Sequence, residues 1–375
     1  MPTMPPHPTQ PSLRDAAPDA AVAARALAAG CTRCGACAAT CAFLQKHGLP
    51  GDIAQAALEG GGGGLAYECS LCGLCGAVCP EGLAPADFFL ALRRAAAASG
   101  GLDLARYKVL LGYEARGHSR LFSWRGLPPG CDAVFFPGCT LPGTRPAATW
   151  RIFHELRRHY PRLGVMLDCC HKPSHDLGRQ AFFAERLADV LAPLREYGVS
   201  TVLVACPNCH KVFANYAAPL KVRTVYEVFA ERGLSMSARL RGEVTVHDPC
   251  PLRGAPAVQE AVRGLLAGAG LDVAEMRHSR SRTLCCGEGG AVSCAAPELS
   301  AAWGRKRRKE AGGRRVVAYC AGCAGFLSRT GPAAHLADLL FSPDGAGRAR
   351  VWRAPFTYLN RLLLKRRFRR LLGNI

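Results

Sequence analysis

The chain is organised around a repeated order of cysteines. Cys139, the adjacent Cys169 and Cys170, and the pair Cys206 and Cys209 recur as Cys250, Cys285 and Cys286, and Cys320 and Cys323. The offsets between the two sets are 111, 116 and 114 positions. Each group follows a short apolar run: "AVFF", "GVMLD" and "TVLVA" in the first half, "EVTVHD", "LDVAEM" and "RVVAY" in the second. Amphipathic stretches such as "TWRIFHELRRHY" and "AFFAERLADVLAPLREY" separate the runs. That alternation predicts duplicated α/β units with parallel strands. The thiols then fall at the C-terminal ends of strands, where open α/β sheets place ligands. Both Cys-x-x-Cys pairs are expected to open helices, whose N-terminal partial charge favours thiolates. "CPNCH" at 206–210 has the form of a c-type haem attachment motif. It fills the slot of "CAGCA" at 320–324, where no histidine follows, so no haem is expected.

Two further runs precede the repeat. "CTRCGACAATC" places Cys31, Cys34, Cys37 and Cys41 at C-x2-C-x2-C-x3-C, and "CSLCGLCGAVCP" repeats the spacing with Cys69, Cys72, Cys75 and Cys79. Thiolates spaced this way on a tight loop each reach a different iron of one cubane. Gly35, Ala36, Gly73 and Gly76 let backbone N–H groups approach the sulfurs. In two-cluster ferredoxins the fourth cysteine of each run serves the other cluster. One [4Fe–4S] cubane is thus expected on Cys31, Cys34, Cys37 and Cys79, and a second on Cys69, Cys72, Cys75 and Cys41. The surrounding "AAVAARALAAG", "DIAQAALE" and "PADFFLALRRAAAA" predict an α-helical two-cluster ferredoxin domain. Zinc is the competing ligand, but structural zinc sites use separated cysteine pairs rather than four cysteines in eleven residues, twice.

A chain of 375 residues exceeds one compact core. The expected division is a Pro-rich disordered tail (1–20), a helical ferredoxin domain (21–100) and a linker (101–130). Two cysteine-rich α/β domains (131–235 and 241–345) and a basic amphipathic helix (346–375) follow. The N-terminal stretch has no secretory layout and no later stretch reaches the length of a membrane span, which points to a cytoplasmic setting with reduced thiols. No phosphate loop or dinucleotide fingerprint occurs, so no flavin or nucleotide site of those types is visible.

The formal net charge of +20 counts every cysteine as neutral, whereas a cubane on four thiolates carries about −2. Local basic runs remain at 305–309 and 365–370. The first reads as a solvated helix face. Aromatic residues are not interleaved with it, so no nucleic-acid partner is expected. In the second, Phe356, Leu364, Phe368, Leu371 and Leu372 share one helix side bordered by Arg361 and Arg367, suiting peripheral contact with a membrane or a redox partner.

Paired ferredoxin runs followed by two C…CC…CxxC halves resemble the cysteine-rich "CCG-domain" iron–sulfur oxidoreductases. These include heterodisulfide reductase D-like proteins and the iron–sulfur subunits of glycolate oxidase and anaerobic glycerol-3-phosphate dehydrogenase. The resemblance rests on "PGC" at 137–139, "HDPC" at 247–250, "CCGEGG" at 285–290 and both CxxC pairs. It implies metal ligation by Cys139, Cys169, Cys170, Cys206 and Cys209, and by Cys250, Cys285, Cys286, Cys320 and Cys323. One or two further [4Fe–4S] clusters would sit there, of the non-cubane type found in heterodisulfide reductases. His171 stands where that pattern has glycine, which sets the first half apart. The implied function is electron transfer through the cubanes to disulfide–thiol or quinone-linked chemistry, with a flavoprotein or membrane cytochrome as redox partner. The alternatives are an electron-transfer subunit of a flavin-dependent hydroxy-acid or glycerol-3-phosphate dehydrogenase, and a zinc-stabilised non-redox binding module. Cys131 and Cys294 are left over as packing thiols. His171, His175 and His247 lie beside ligand cysteines as supports, and no catalytic residue is assigned.

Overall fold

The structure is a computed structural model that describes residues 19–234, 239–341 and 351–373. The tail expected over 1–20 lies outside them, apart from its last two residues.

The N-terminal module is helical. Ala20–Gly30, Pro50–Leu58 and Pro85–Ala98 pack around Leu27, Phe43, Leu44, Ile53, Phe88 and Phe89. Proline in the first turn, with Asp52 or Asp87 close behind, starts the second and third of these helices. That arrangement suits a helix start, where an N–H is unpaired and the dipole favours negative charge. Val292, Ala296 and Leu299 of the second half complete this core, so the module docks on that half through apolar contact.

The two α/β halves share one topology. In the first, β1 (Trp124–Gly126), β2 (Ala133–Phe136), β3 (Gly164–Leu167), β4 (Thr201–Val204) and β5 (Lys221–Thr224) form a sheet of order β1-β3-β2-β4-β5. In the second, β6 (Glu243–His247), β7 (Asp272–Val273), β8 (Arg315–Ala318) and β9 (Ala333–His335) form a sheet of order β7-β6-β8-β9. All pairings are parallel except β1 with β3. β2 and β3 are buried along their whole length, as parallel strands covered on both faces must be. Phe135, Val165 and Leu203 of the first sheet and Val244, Val246 and Val317 of the second belong to one continuous core. The halves are therefore packed against each other rather than strung along the chain.

Three expectations need correction. Residues 101–130 are no plain linker: Lys108–His118 is a helix, and Trp124–Gly126 adds an antiparallel edge strand to the first sheet. The signal was hidden because a three-residue edge strand shows no measurable alternation. The basic run is not a uniformly solvated face, since Arg307 is fully buried and donates to the His278 carbonyl at 2.7 Å and to Glu310 at 2.9 Å. The helix Phe356–Leu372 spends part of its apolar side within the chain. Leu364 and Phe368 are buried, with Phe368 against Trp150 and Phe153 at ring separations of 5.2 and 4.9 Å, whereas Phe356 and Leu371 are exposed. Among the described residues, no helix is long and apolar enough to cross a membrane.

Candidate iron–sulfur sites

The two N-terminal runs have the same local backbone. Arg33 and Gly35 in the first, and Leu71 and Gly73 in the second, take positive φ at equivalent positions. Such left-handed residues turn successive N–H groups inward and form an anion-binding concavity. The Leu71 N–H donates to Cys69 Sγ at 3.4 Å.

Cys79 lines one hollow with Cys31, Cys34 and Cys37, and Cys75 reaches the same hollow. Cys79 interacts with Cys37, together with Cys31 and Cys34. Cys41 interacts with Cys72, Cys69 and Cys75. Burial pushes the Cys41 thiol up to about 11, so a free thiol there stays protonated and only a bound metal would hold the thiolate. Cys34 is exposed, which brings the first site to the surface. The second lies inside, where Cys41 and Cys72 pack beside Leu284, Cys285 and Trp303 of the second half.

The five-cysteine sets do not form separate pockets. Cys139, Cys169, Cys170, Cys206, Cys209, Cys250, Cys286, Cys320 and Cys323 all line one cavity of about 230 Å³. Cys285 is fully buried and accepts from the Gly287 N–H at 3.3 Å. Cys206 caps the helix Pro207–Tyr216 and Cys320 caps Ala321–Leu327, so each Cys-x-x-Cys pair opens a helix. The thiols act on one another in pairs. Cys139 meets Cys169, Cys170 meets Cys209, and Cys206 meets both Cys209 and Cys320. Cys286 meets Cys285 and Cys323 in the other half, and donation from them lowers its thiol to about 6. Cys206 falls well below the usual thiol range because Cys209 and Cys320 donate to it.

Residues that the sequence did not single out frame this cavity. The Glu288 carboxyl lies over Gly322, where a Cβ would fall 2.0 Å from its Oε2. One of its oxygens is within 4.8 Å of the Cys320 and Cys323 sulfurs. Burial, reinforced by Cys206 and Cys139, pushes this carboxyl up to about 7. Lys172, the counterpart of Glu288 two places after the other cysteine pair, lines the same cavity and is paired with Asp176. The Tyr113 hydroxyl donates to the Cys139 carbonyl at 3.0 Å. Of the leftover thiols, Cys294 lines the cavity, while Cys131 is buried and donates to the Ala133 carbonyl at 3.2 Å. Of the histidines, His175 is held between Asp176 and the Tyr216 hydroxyl at 2.9 Å each.

Two arginines join the sites. Arg93 is fully buried and donates to carbonyls of Ala66 and Cys69 in the module, Asp176 in the first half and Gly290 in the second. Arg253 donates to the Cys72 carbonyl from Nε at 3.2 Å and Nη2 at 3.1 Å, and to the Thr283 carbonyl at 2.8 Å. Burial, and after it Cys250, pushes the Cys72 thiol up, and Arg253 opposes that shift. Neither arginine carries a sequence signal, because each acts through backbone carbonyls remote in sequence.

The donor set is almost wholly sulfur, which suits iron–sulfide or another soft metal group rather than an oxygen-loving cation. The module's cysteines run from exposed Cys34 to Cys41 and Cys72 beside the second half, and the later cysteines line one sulfur-rich chamber. That arrangement defines an iron–sulfur oxidoreductase of the electron-transfer type. The model of the 4Fe-4S dicluster domain matches residues 28–83, and that of the cysteine-rich (CCG) domain matches twice, at 133–214 and 244–328. The chain belongs to the CCG-domain iron–sulfur oxidoreductases.

Among curated relatives, it is similar to a fumarate reductase (CoM/CoB) subunit of Methanothermobacter marburgensis, with 28% identity over 314 residues. That match covers 74% of this chain and 62% of the relative. A subunit of the dihydromethanophenazine:CoB–CoM heterodisulfide reductase of Methanosarcina barkeri is 29% identical over 202 residues, 48% of each chain. The EtfAB:quinone oxidoreductase of Syntrophomonas wolfei is 26% identical over 148 residues, 37% of this chain and 21% of that protein. The chain thus spans less than two thirds of the length of these relatives.

Proposed function

We propose that this chain receives electrons at the Cys31, Cys34, Cys37 and Cys79 site and passes them through the Cys41, Cys69, Cys72 and Cys75 site to the shared cavity, where a disulfide is reduced to two thiols. The observation that carries this reading is the cavity itself, in which both five-cysteine sets face one space. Clusters bound on these cysteines would supply one-electron steps and iron with affinity for sulfur. The reaction balances as one S–S bond broken and two S–H bonds formed, for two electrons and two protons. The electrons come from a reduced redox protein, a flavoprotein or a quinone-linked or cytochrome subunit, in keeping with the reductase and quinone-oxidoreductase names of the relatives.

The chain's own residues supply the setting. Exposure at Cys34 brings the entry site within reach of a partner. Arg93 and Arg253 hold the module against both halves, so the path between sites keeps a constant length. Glu288 holds a proton near neutrality at the cavity wall. The exposed Phe356, Leu359 and Leu363, followed by Arg366, Arg367, Arg369 and Arg370, suit peripheral contact with an anionic membrane.

Anaerobic purification followed by iron and acid-labile sulfide assay, then thiol release from a disulfide with reduced viologen, tests the reading. About 12 to 16 irons per chain are expected for three to four clusters. Zinc in their place would sink it. Full iron content and oxidation of a reduced flavoprotein without thiol release would favour the dehydrogenase electron-transfer role.

A further inference from the structure

Four buried side chains beside the five-cysteine sets carry nitrogen atoms with no hydrogen-bond partner. In the first half, His171 is 1% exposed with both ring nitrogens unpaired, and Arg361 is 2% exposed with Nη1 unpaired. In the second, His247 is 0% exposed with both ring nitrogens unpaired, and Arg307 is 0% exposed with Nε and Nη2 unpaired. His171 Nδ1 approaches Glu114 at 3.5 Å, too far for a good hydrogen bond. Native interiors seldom leave such donors unmatched, and each calls for an acceptor.

Their positions say which acceptor. A ring nitrogen of His247 lies within 4.8 Å of the Cys286 and Cys323 sulfurs, and one of His171 within 4.8 Å of the Cys169 sulfur. Arg307 interacts electrostatically with Cys286 and Cys323. Arg361 Nη1 and Cys169 Sγ stand 3.7 and 3.8 Å from the same point above Gly117. Each set therefore has one imidazole and one guanidinium at its edge.

The duplication did not supply these pairs. His247 lies three residues before Cys250, where the first half has Phe136 three before Cys139. His171 follows Cys170, where the second half has Gly287 after Cys286. Arg307 belongs to the helix Pro297–Ala311, whereas Arg361 comes from the helix Phe356–Leu372, beyond both cysteine sets. Two halves that obtain the same pair of donors from non-equivalent positions share a requirement rather than an inherited sequence.

We propose that His171 with Arg361, and His247 with Arg307, are two donor pairs that hydrogen-bond the sulfurs of the iron–sulfur groups on the five-cysteine sets and stabilise their reduced states. The inference rests on the cluster reading above. Donation to cluster sulfur disperses negative charge and raises the reduction potential. Each imidazole donates through a ring N–H, and the guanidinium charge is permanent. These are positioning residues, not catalytic ones. The C-terminal helix thereby becomes part of the first site.

The test uses the full chain, purified anaerobically and labelled with 15N-histidine. Pulsed EPR of the reduced protein should show 15N couplings on the signals lost in Cys169→Ser and Cys285→Ser. In EPR-monitored titrations, His247→Phe should lower the midpoint of the second-half signal alone, and His171→Gly that of the first-half signal alone. Glycine suits the φ of +55° at His171. Arg307→Met and Arg361→Met should act in the same directions. A full iron and sulfide complement without 15N coupling, or with midpoints unmoved by both histidine variants, overturns the inference while leaving the cluster reading intact. Zinc without iron or sulfide in the wild type overturns both.

Discussion

Cys206 and Cys320, 114 positions apart, line one cavity where the two halves meet and act on each other there. Neither set is complete in its surroundings without the other. Ser in place of Cys320 should lower the iron content by about four atoms, one cluster's worth, and should also alter the EPR signal of the first half. Cys294→Ser should leave iron and sulfide unchanged, although Cys294 lines the same cavity. Metal analysis of the three proteins side by side decides it.

Gly322→Ala should damage the second site. The new Cβ would fall 2.0 to 2.3 Å from the Glu288 carboxyl, so Glu288 or the helix opened by Cys320 must shift. The cost should be about 1–3 kcal/mol, typical of overpacking. Glu288→Gly in the same chain should recover most of the loss. A double-mutant cycle on chemical unfolding, with cluster content read in parallel, checks this, and additive effects would refute it.

Arg93→Met should loosen the module from both halves. It removes four donations to carbonyls that stay buried, at a cost of at least about 3 kcal/mol. Hydrogen exchange should rise first around Cys69 and Gly290.

His118 should give stability a dependence on pH near neutrality. Its hydrogen bond to the buried Asp168, 2.7 Å long, raises its pKa. The folded state therefore favours the protonated ring. The contribution is fully present below the unfolded pKa of about 6.5 and is lost as pH rises through the higher folded value. Unfolding midpoints measured from about pH 6 to pH 8 should fall more steeply in the wild type than in His118→Asn.

Phe368→Ala should cost about 3–5 kcal/mol, since the ring is fully buried against Trp150 and Phe153. Leu359→Ser, on the outer face of the same helix, should stay within about 0.5 kcal/mol in solution. If that face meets an anionic membrane, the same change should weaken co-sedimentation with acidic-lipid vesicles.

Local spacing carried a large part of the fold and site. The strands β2, β3, β4, β6, β7 and β8, the helix starts at Cys206 and Cys320, and the repeat itself were legible because each depends on residues a few positions apart. The parallel edge strands Lys221–Thr224 and Ala333–His335 were not. Trp124–Gly126 was not, since its strand character comes from pairing with Gly164–Leu167 rather than from its own pattern. The buried Arg307 looked like surface because a basic run gives no sign of which member turns inward.

By itself, the order of residues determined which thiols stand at loop and strand ends, because chain geometry ties a cysteine to its near neighbours. Only the tertiary structure decided that the two sets face one cavity, that the module abuts the second half, and that Arg361 reaches the first set. Those relations depend on apolar surfaces hundreds of residues apart burying one another, and burial is a property of the whole packed core rather than of any segment.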